Sequence, residues 1–163
     1  MASKDSQVKP LRLVVSDVDG VLTDGGLYYS SEGEIMKRFN SRDGIAFTLL
    51  KSNGYITALL SSGRMREIVK HRAEDLDIDL WYSGEGRKED VIEKWIADLG
   101  IQWSEVCYIG DDLHDLVSMQ RAGWSACPSD AVDQIQEVAD TVLKNPGGAG
   151  CFRELTDSHL LTS

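Results

Sequence analysis

The stretch VVSDVDGVLTDGG at residues 14–26 runs an apolar segment straight onto two aspartates one residue apart, Asp17 and Asp19, and then supplies Gly20, Gly25 and Gly26 within a few positions. An apolar run of strand length, bounded by acids and glycines, reads as a buried strand that stops at a functional edge. Outward from it, apolar runs alternate with segments of helical period. Residues 11–16 predict the first strand, 55–60 the second and 107–109 the third, with shorter candidates at 79–82, 124–126 and 141–143. Helices are expected over residues 44–51, 66–76, 88–99, 113–122 and 131–138. Such alternation is the pattern of an α/β fold with a doubly wound, mainly parallel sheet and helices on both faces.

One segment departs from it. LYYSSEGEIMKRFN at residues 27–40 reads as a β-hairpin turning at Glu32 and Gly33, directly after the opening motif. It is expected to project from the carboxyl end of the sheet. The rest is expected to form a single domain over residues 11–155, preceded by a flexible start at 1–10 and ending in a mobile glycine-rich tail at 145–163.

The 163 residues carry a net charge of −10, which argues against a nucleic-acid partner or an anionic membrane surface, since both need a basic face. No apolar run approaches the roughly 18 residues of a membrane span, and the first ten residues lack the apolar core of a signal peptide, so a cytoplasmic protein is expected. Cys107, Cys127 and Cys151 never form a CxxC spacing, and they read as buried thiols rather than disulfide or zinc ligands.

In an open parallel sheet, ligands bind beyond the carboxyl ends of the strands. Asp17 and Asp19 follow the first strand, Ser61, Ser62, Gly63 and Arg64 the second, and Asp111, Asp112 and Asp115 the third, while Lys88 opens a helix. Several ionised carboxylates at one edge repel one another unless a cation joins them, and hard oxygen donors select Mg²⁺. With Mg²⁺ and Lys88 neutralising phosphoryl oxygens, Asp17 is the natural nucleophile for attack on phosphorus. Asp19 then serves as acid and base for the leaving alcohol and the water.

The order and spacing of this set resemble the haloacid dehalogenase superfamily of phosphohydrolases, with motifs at DVDGVLTDG, Ser62, Lys88 and GDDLHD. The resemblance implies a Rossmann-like core, Ser62 and Lys88 as phosphate holders, and Mg²⁺ bound by Asp111, the Asp17 carboxylate and the Asp19 backbone carbonyl. Asp112 or Asp115 would support the metal, with no ranking between them. Neither inter-motif gap has room for the cap domain that most relatives carry.

The capless form, with SSGR, YSGEGRK and the terminal GGAGCFRE, resembles the 3-deoxy-D-manno-octulosonate 8-phosphate (Kdo-8-phosphate) phosphatase family. That resemblance implies a Mg²⁺-dependent phosphatase of a 2-keto-3-deoxy sugar acid, acting through an aspartyl-phosphate. It also implies a homotetramer with hairpins at its centre and a neighbouring subunit covering the site. The tail glycines Gly147, Gly148 and Gly150, with Arg153, would reach toward an active site. Arg64 is the residue expected to touch the sugar carboxylate, and it leans the choice away from relatives acting on 2-keto-3-deoxynononate 9-phosphate, which often carry an acid there. His114 departs from the Asn or Ile common at its place and is given no role. Two other classes share features with this chain: a phospho-aspartate receiver, whose acids fall in a different order, and a non-catalytic oligomerisation domain, which has lost acids that this chain keeps.

Overall fold

The structure, a computed structural model, describes residues 10–162, so the flexible start expected at residues 1–10 lies, but for its last residue, outside them. Six strands form one parallel sheet: β1 (Leu13–Asp17), β4 (Ile56–Ser61), β5 (Leu80–Ser83), β6 (Val106–Ile109), β7 (Trp124–Cys127) and β8 (Thr141–Val142). Their spatial order is β5-β4-β1-β6-β7-β8. The remaining two, β2 (Tyr28–Ser30) and β3 (Gly33–Met36), pair antiparallel as the expected hairpin.

β1 is buried throughout and pairs with β4 on one side and β6 on the other. Alternation along it feeds two cores. Val14 packs on one face, with residues of α1 (Ser41–Ser52), α2 (Arg66–Asp75) and α6 (Cys151–Leu155). Leu13 and Val15 pack on the other, with residues of α3 (Lys88–Leu99), α4 (Leu116–Arg121) and α5 (Asp133–Val138). From β1 the chain winds outward through β4 to β5, then crosses back to β6 and winds the other way. The strand order therefore reverses between β1 and β6, which is where such sheets open a crevice for ligands.

Most expected elements are found with ends moved by one to three residues. Helix α1 begins earlier because Asn40 caps it, accepting from the Arg42 backbone N–H. α3 spans the expected residues and stops at Gly100, whose φ of 65° is the left-handed cap that glycine adopts without strain. The helix expected over 113–122 starts as a 3₁₀ turn, Leu113–Asp115, before α4.

The stretch read as a glycine-rich tail contains α6, which the sequence reading missed. Phe152 and Leu155 are fully buried, and the Phe152 ring stacks on Phe47 of α1 with centroids 4.2 Å apart. The glycines before it have a packing reason. A Cβ on Gly147 would stand 2.0 Å from the Gly20 carbonyl oxygen, and one on Gly148 would stand 2.5 Å from the Asp24 nitrogen. Backbone thus lies directly on the loop that follows β1. All three cysteines are buried free thiols, as their spacing implied. Among the described residues, no helix is long and apolar enough to cross a membrane.

Candidate active site

Asp17 is the last residue of β1 and is 1% exposed. Its Oδ1 accepts from the Val18 backbone N–H at 2.7 Å and lies 2.6 Å from Nζ of Lys88. Burial disfavours its charge, but the Lys88 ammonium and the His114 ring outweigh that effect and hold the carboxyl well below the usual carboxylate range. Asp17 is therefore an ionised carboxylate at neutral pH.

Lys88 enters at the first residue of α3 and is itself buried. Burial works against its charge, yet Asp17 and Asp115 on either side raise its pKa above the ordinary lysine value. Asp115 Oδ1 accepts from Lys88 at 2.7 Å and from the Tyr108 hydroxyl at 2.5 Å. Its Oδ2 accepts from the backbone N–H groups of Asp111 at 2.9 Å and Asp112 at 3.3 Å. Both oxygens of Asp115 are committed, so this residue is the post that fixes Lys88 and shapes the loop after β6. Asp112 is exposed and caps that loop, accepting from the Leu113 N–H at 2.7 Å.

Asp111 faces Asp17 across the switch point. Burial, and then the charges of Asp17 and Asp115, push its pKa up to about 8. Its Oδ1 is buried with no hydrogen-bond partner among the described residues. A buried, orphaned carboxylate oxygen beside a second carboxylate is what a divalent cation would satisfy, and the donor set suits Mg²⁺. Gly20 makes the approach possible: its φ is +85°, and a Cβ there would lie 1.8 Å from Asp111 Oδ2.

Asp19 lies beyond the turn, with its Oδ1 2.8 Å from Lys37 Nζ. Lys37 follows β3, so the hairpin both projects and returns a buried ammonium to the site, where Glu34 also accepts from it at 2.8 Å. Burial opposes the Lys37 charge, but these two hydrogen bonds prevail and raise its pKa. Gly63 stands on the other flank, where a Cβ would lie 3.2 Å from Asp19 Oδ2. The Gly63 loop is pinned by Ser61 Oγ, which accepts from the Gly63 N–H at 3.0 Å, and by Ser83 Oγ, which donates to the Gly63 carbonyl at 3.0 Å.

The fold thus gathers Asp17, Asp19, Gly63, Lys88, Asp111 and Asp115, with Ser62 and Arg64 exposed at the rim after β4. Arg153 is placed elsewhere. It pairs with Asp157 at 2.7 Å and lines a cleft of about 350 Å³ together with Arg42, Asn145 and Gly150. Sequence reading missed Lys37, Tyr108 and His114. His114, for which the sequence implies no role, has its Nε2 3.3 Å from Asp17 Oδ2 and 3.7 Å from Asp115 Oδ2. The hydrogen bond to Asp17 is the main cause of its raised pKa. Its placement in the acidic GDDLHD turn was the available signal.

The family model for haloacid dehalogenase-like hydrolases matches residues 27–127. A 3-deoxy-D-manno-octulosonate 8-phosphate phosphatase of Haemophilus influenzae is 37% identical over 93% of this chain and 83% of its own length. The chain belongs to the haloacid dehalogenase-like hydrolases. Among solved relatives, the cobalt-bound Haemophilus influenzae phosphatase is 37% identical and superposes with a TM-score of 0.86, covering 90% of this chain and 85% of that one. The Moraxella catarrhalis phosphatase, in complex with a magnesium ion, a phosphate ion and a KDO molecule, is 35% identical with a TM-score of 0.86, covering 90% and 84%. Membership in a hydrolase family retires the receiver alternative.

Proposed function

We propose that this protein is a Mg²⁺-dependent phosphatase that hydrolyses Kdo-8-phosphate to Kdo and phosphate through an aspartyl-phosphate on Asp17. The observation that carries the reading is an ionised, buried Asp17 at the switch point, 2.6 Å from Lys88 and beside the partnerless oxygen of Asp111. Relatives of that name over most of the chain, one of them with magnesium, phosphate and KDO, support the substrate and the metal.

Asp17, the Asp19 backbone carbonyl and Asp111 would hold Mg²⁺, which when bound neutralises phosphoryl charge. The residues then divide the work. A carboxylate oxygen of Asp17 attacks phosphorus as the bond to the sugar oxygen breaks, and Asp19 gives that oxygen a proton. Lys37 engages Asp19 through Oδ1, which leaves Oδ2 as the oxygen for proton transfer. Water next attacks phosphorus, Asp19 takes its proton, and Asp17 is released as a carboxylate with free phosphate. Lys88 remains charged throughout and holds phosphoryl oxygens, while Ser62 and the Gly63 backbone N–H flank them and Arg64 meets the sugar carboxylate.

The same reading includes a homotetramer. Leu27, Tyr28, Tyr29 and Met36 of the hairpin are all more than 40% exposed, an apolar edge that packing against other copies would cover. In it, Arg153 serves a neighbouring subunit's site rather than its own.

The test is phosphate release from Kdo-8-phosphate with Mg²⁺. Wild-type protein turns it over, and Asp17→Asn, which removes nucleophile and metal ligand but almost no volume, reduces the rate at least about a thousandfold with an unchanged melting profile. Turnover by Asp17→Asn within about tenfold of wild type would refute the assignment.

A further inference from the structure

His114 occupies a place that an all-oxygen Mg²⁺ site does not need filled. Two donor atoms bound to one ion at about 2.1 Å lie about 3.0 Å apart at right angles, about 3.4 Å apart in a tetrahedron and about 4.2 Å apart when opposite. The 3.3 Å between His114 Nε2 and Asp17 Oδ2 falls within that range, and donor atoms of Asp17, Asp111, His114 and Asp115 all lie within 4.8 Å of one another. Asp115 is excluded as a donor because Lys88, Tyr108 and two backbone N–H groups already use both its oxygens. Removing Asp115 leaves a carboxylate from β1, a carboxylate with an unpartnered oxygen from the loop after β6, and one imidazole.

We propose that His114 Nε2 is a ligand of the active-site ion, so that this centre, besides accepting Mg²⁺, carries a nitrogen donor and holds borderline divalent cations such as Mn²⁺ and Co²⁺ more tightly than an all-oxygen site would. Imidazole suits first-row transition ions, whereas Mg²⁺ prefers oxygen. The side chain is 43% exposed, so it swings onto the ion without disturbing the core. The inference rests on the metal-dependent phosphatase reading, and it deepens that reading by naming which ions the site selects.

Electron spin-echo measurements on the Mn²⁺-loaded protein read the ligand directly, without turnover. Nitrogen modulation is expected in wild type, changed by incorporating ¹⁵N-histidine and lost in His114→Asn, which assigns it among the three histidines of the chain. In the same variant, Mn²⁺ affinity should fall by about tenfold or more, the loss that even a supporting partner of a metal ligand produces, while Mg²⁺ affinity changes by less than about threefold. Absence of histidine coupling in wild type, or equal loss of both ions in His114→Asn, overturns the inference. Asp111→Asn separates the two readings. If it abolishes Mn²⁺ binding while no histidine coupling is seen, only the His114 assignment fails. If Mn²⁺ binds undiminished, the ion is not at this site, and the phosphatase reading fails with it.

Discussion

Lys88 sits between two carboxylates that are both almost wholly buried, and its ammonium is what allows them to stay there. Removing one member of such a group leaves charge uncompensated in a low-dielectric setting. Lys88→Met is therefore expected to lower stability at pH 7 by about 3–5 kcal/mol, read from urea unfolding, besides ending turnover. A variant as stable as wild type would show that the carboxylates do not depend on it. At this scale, the acids were legible because each follows a strand, and strand ends converge in a parallel sheet. Lys37 and His114 were not, because they reach Asp19 and Asp17 over 18 and 97 positions of chain. Their targets depend on how a hairpin folds back and how a turn is pitched, and no local period encodes either.

Among the elements, the contact of α1 with α6 turns on Asp43. Its Oδ1 accepts from the Arg153 backbone N–H at 2.9 Å, and its Oδ2 is buried without a partner among the described residues. Burial raises its pKa, against the backbone N–H groups of α6 and the charge of Arg72 on α2, which lower it. A carboxyl whose native pKa is raised holds its proton more tightly folded than unfolded. Its contribution is thus fully present below the unfolded value of about 3.9 and is lost as pH rises through the higher native value. Asp43→Asn removes that loss, so its stability relative to wild type should improve as pH rises from about 4 toward neutrality. A constant difference between the two unfolding free energies across that range would contradict the assignment. Helix α6 itself escaped the sequence reading because five residues are too few to show a helical period. Its place is set by the stacking of Phe152 on Phe47 and by glycines that let backbone meet backbone.

For the whole molecule, a net charge of −10 and an anionic substrate are reconciled locally. Lys37 and Lys88 point their charge inward at the crevice, Arg64 stands at its rim, and paired carboxylates recruit a cation. The doubly wound sheet was readable from the alternation of strand and helix, and the crevice from the residues that follow β1 and β6. The assembly was not, since an exposed edge does not name what covers it. With the proposed tetramer, Tyr29→Asp on the 67%-exposed hairpin residue should shift the sedimenting species to smaller mass while leaving the subunit fold intact. Wild-type protein sedimenting as a monomer at micromolar concentration would rule out the tetramer.

In the proposed function the crevice is built for one sugar acid. Initial rates with Mg²⁺ on Kdo-8-phosphate, 2-keto-3-deoxynononate 9-phosphate and N-acetylneuraminate 9-phosphate test it most directly. The highest kcat/KM is expected for Kdo-8-phosphate, by about tenfold or more, with Arg64→Ala erasing most of the margin. Equal rates on all three, or a preference for either nine-carbon acid, would contradict it.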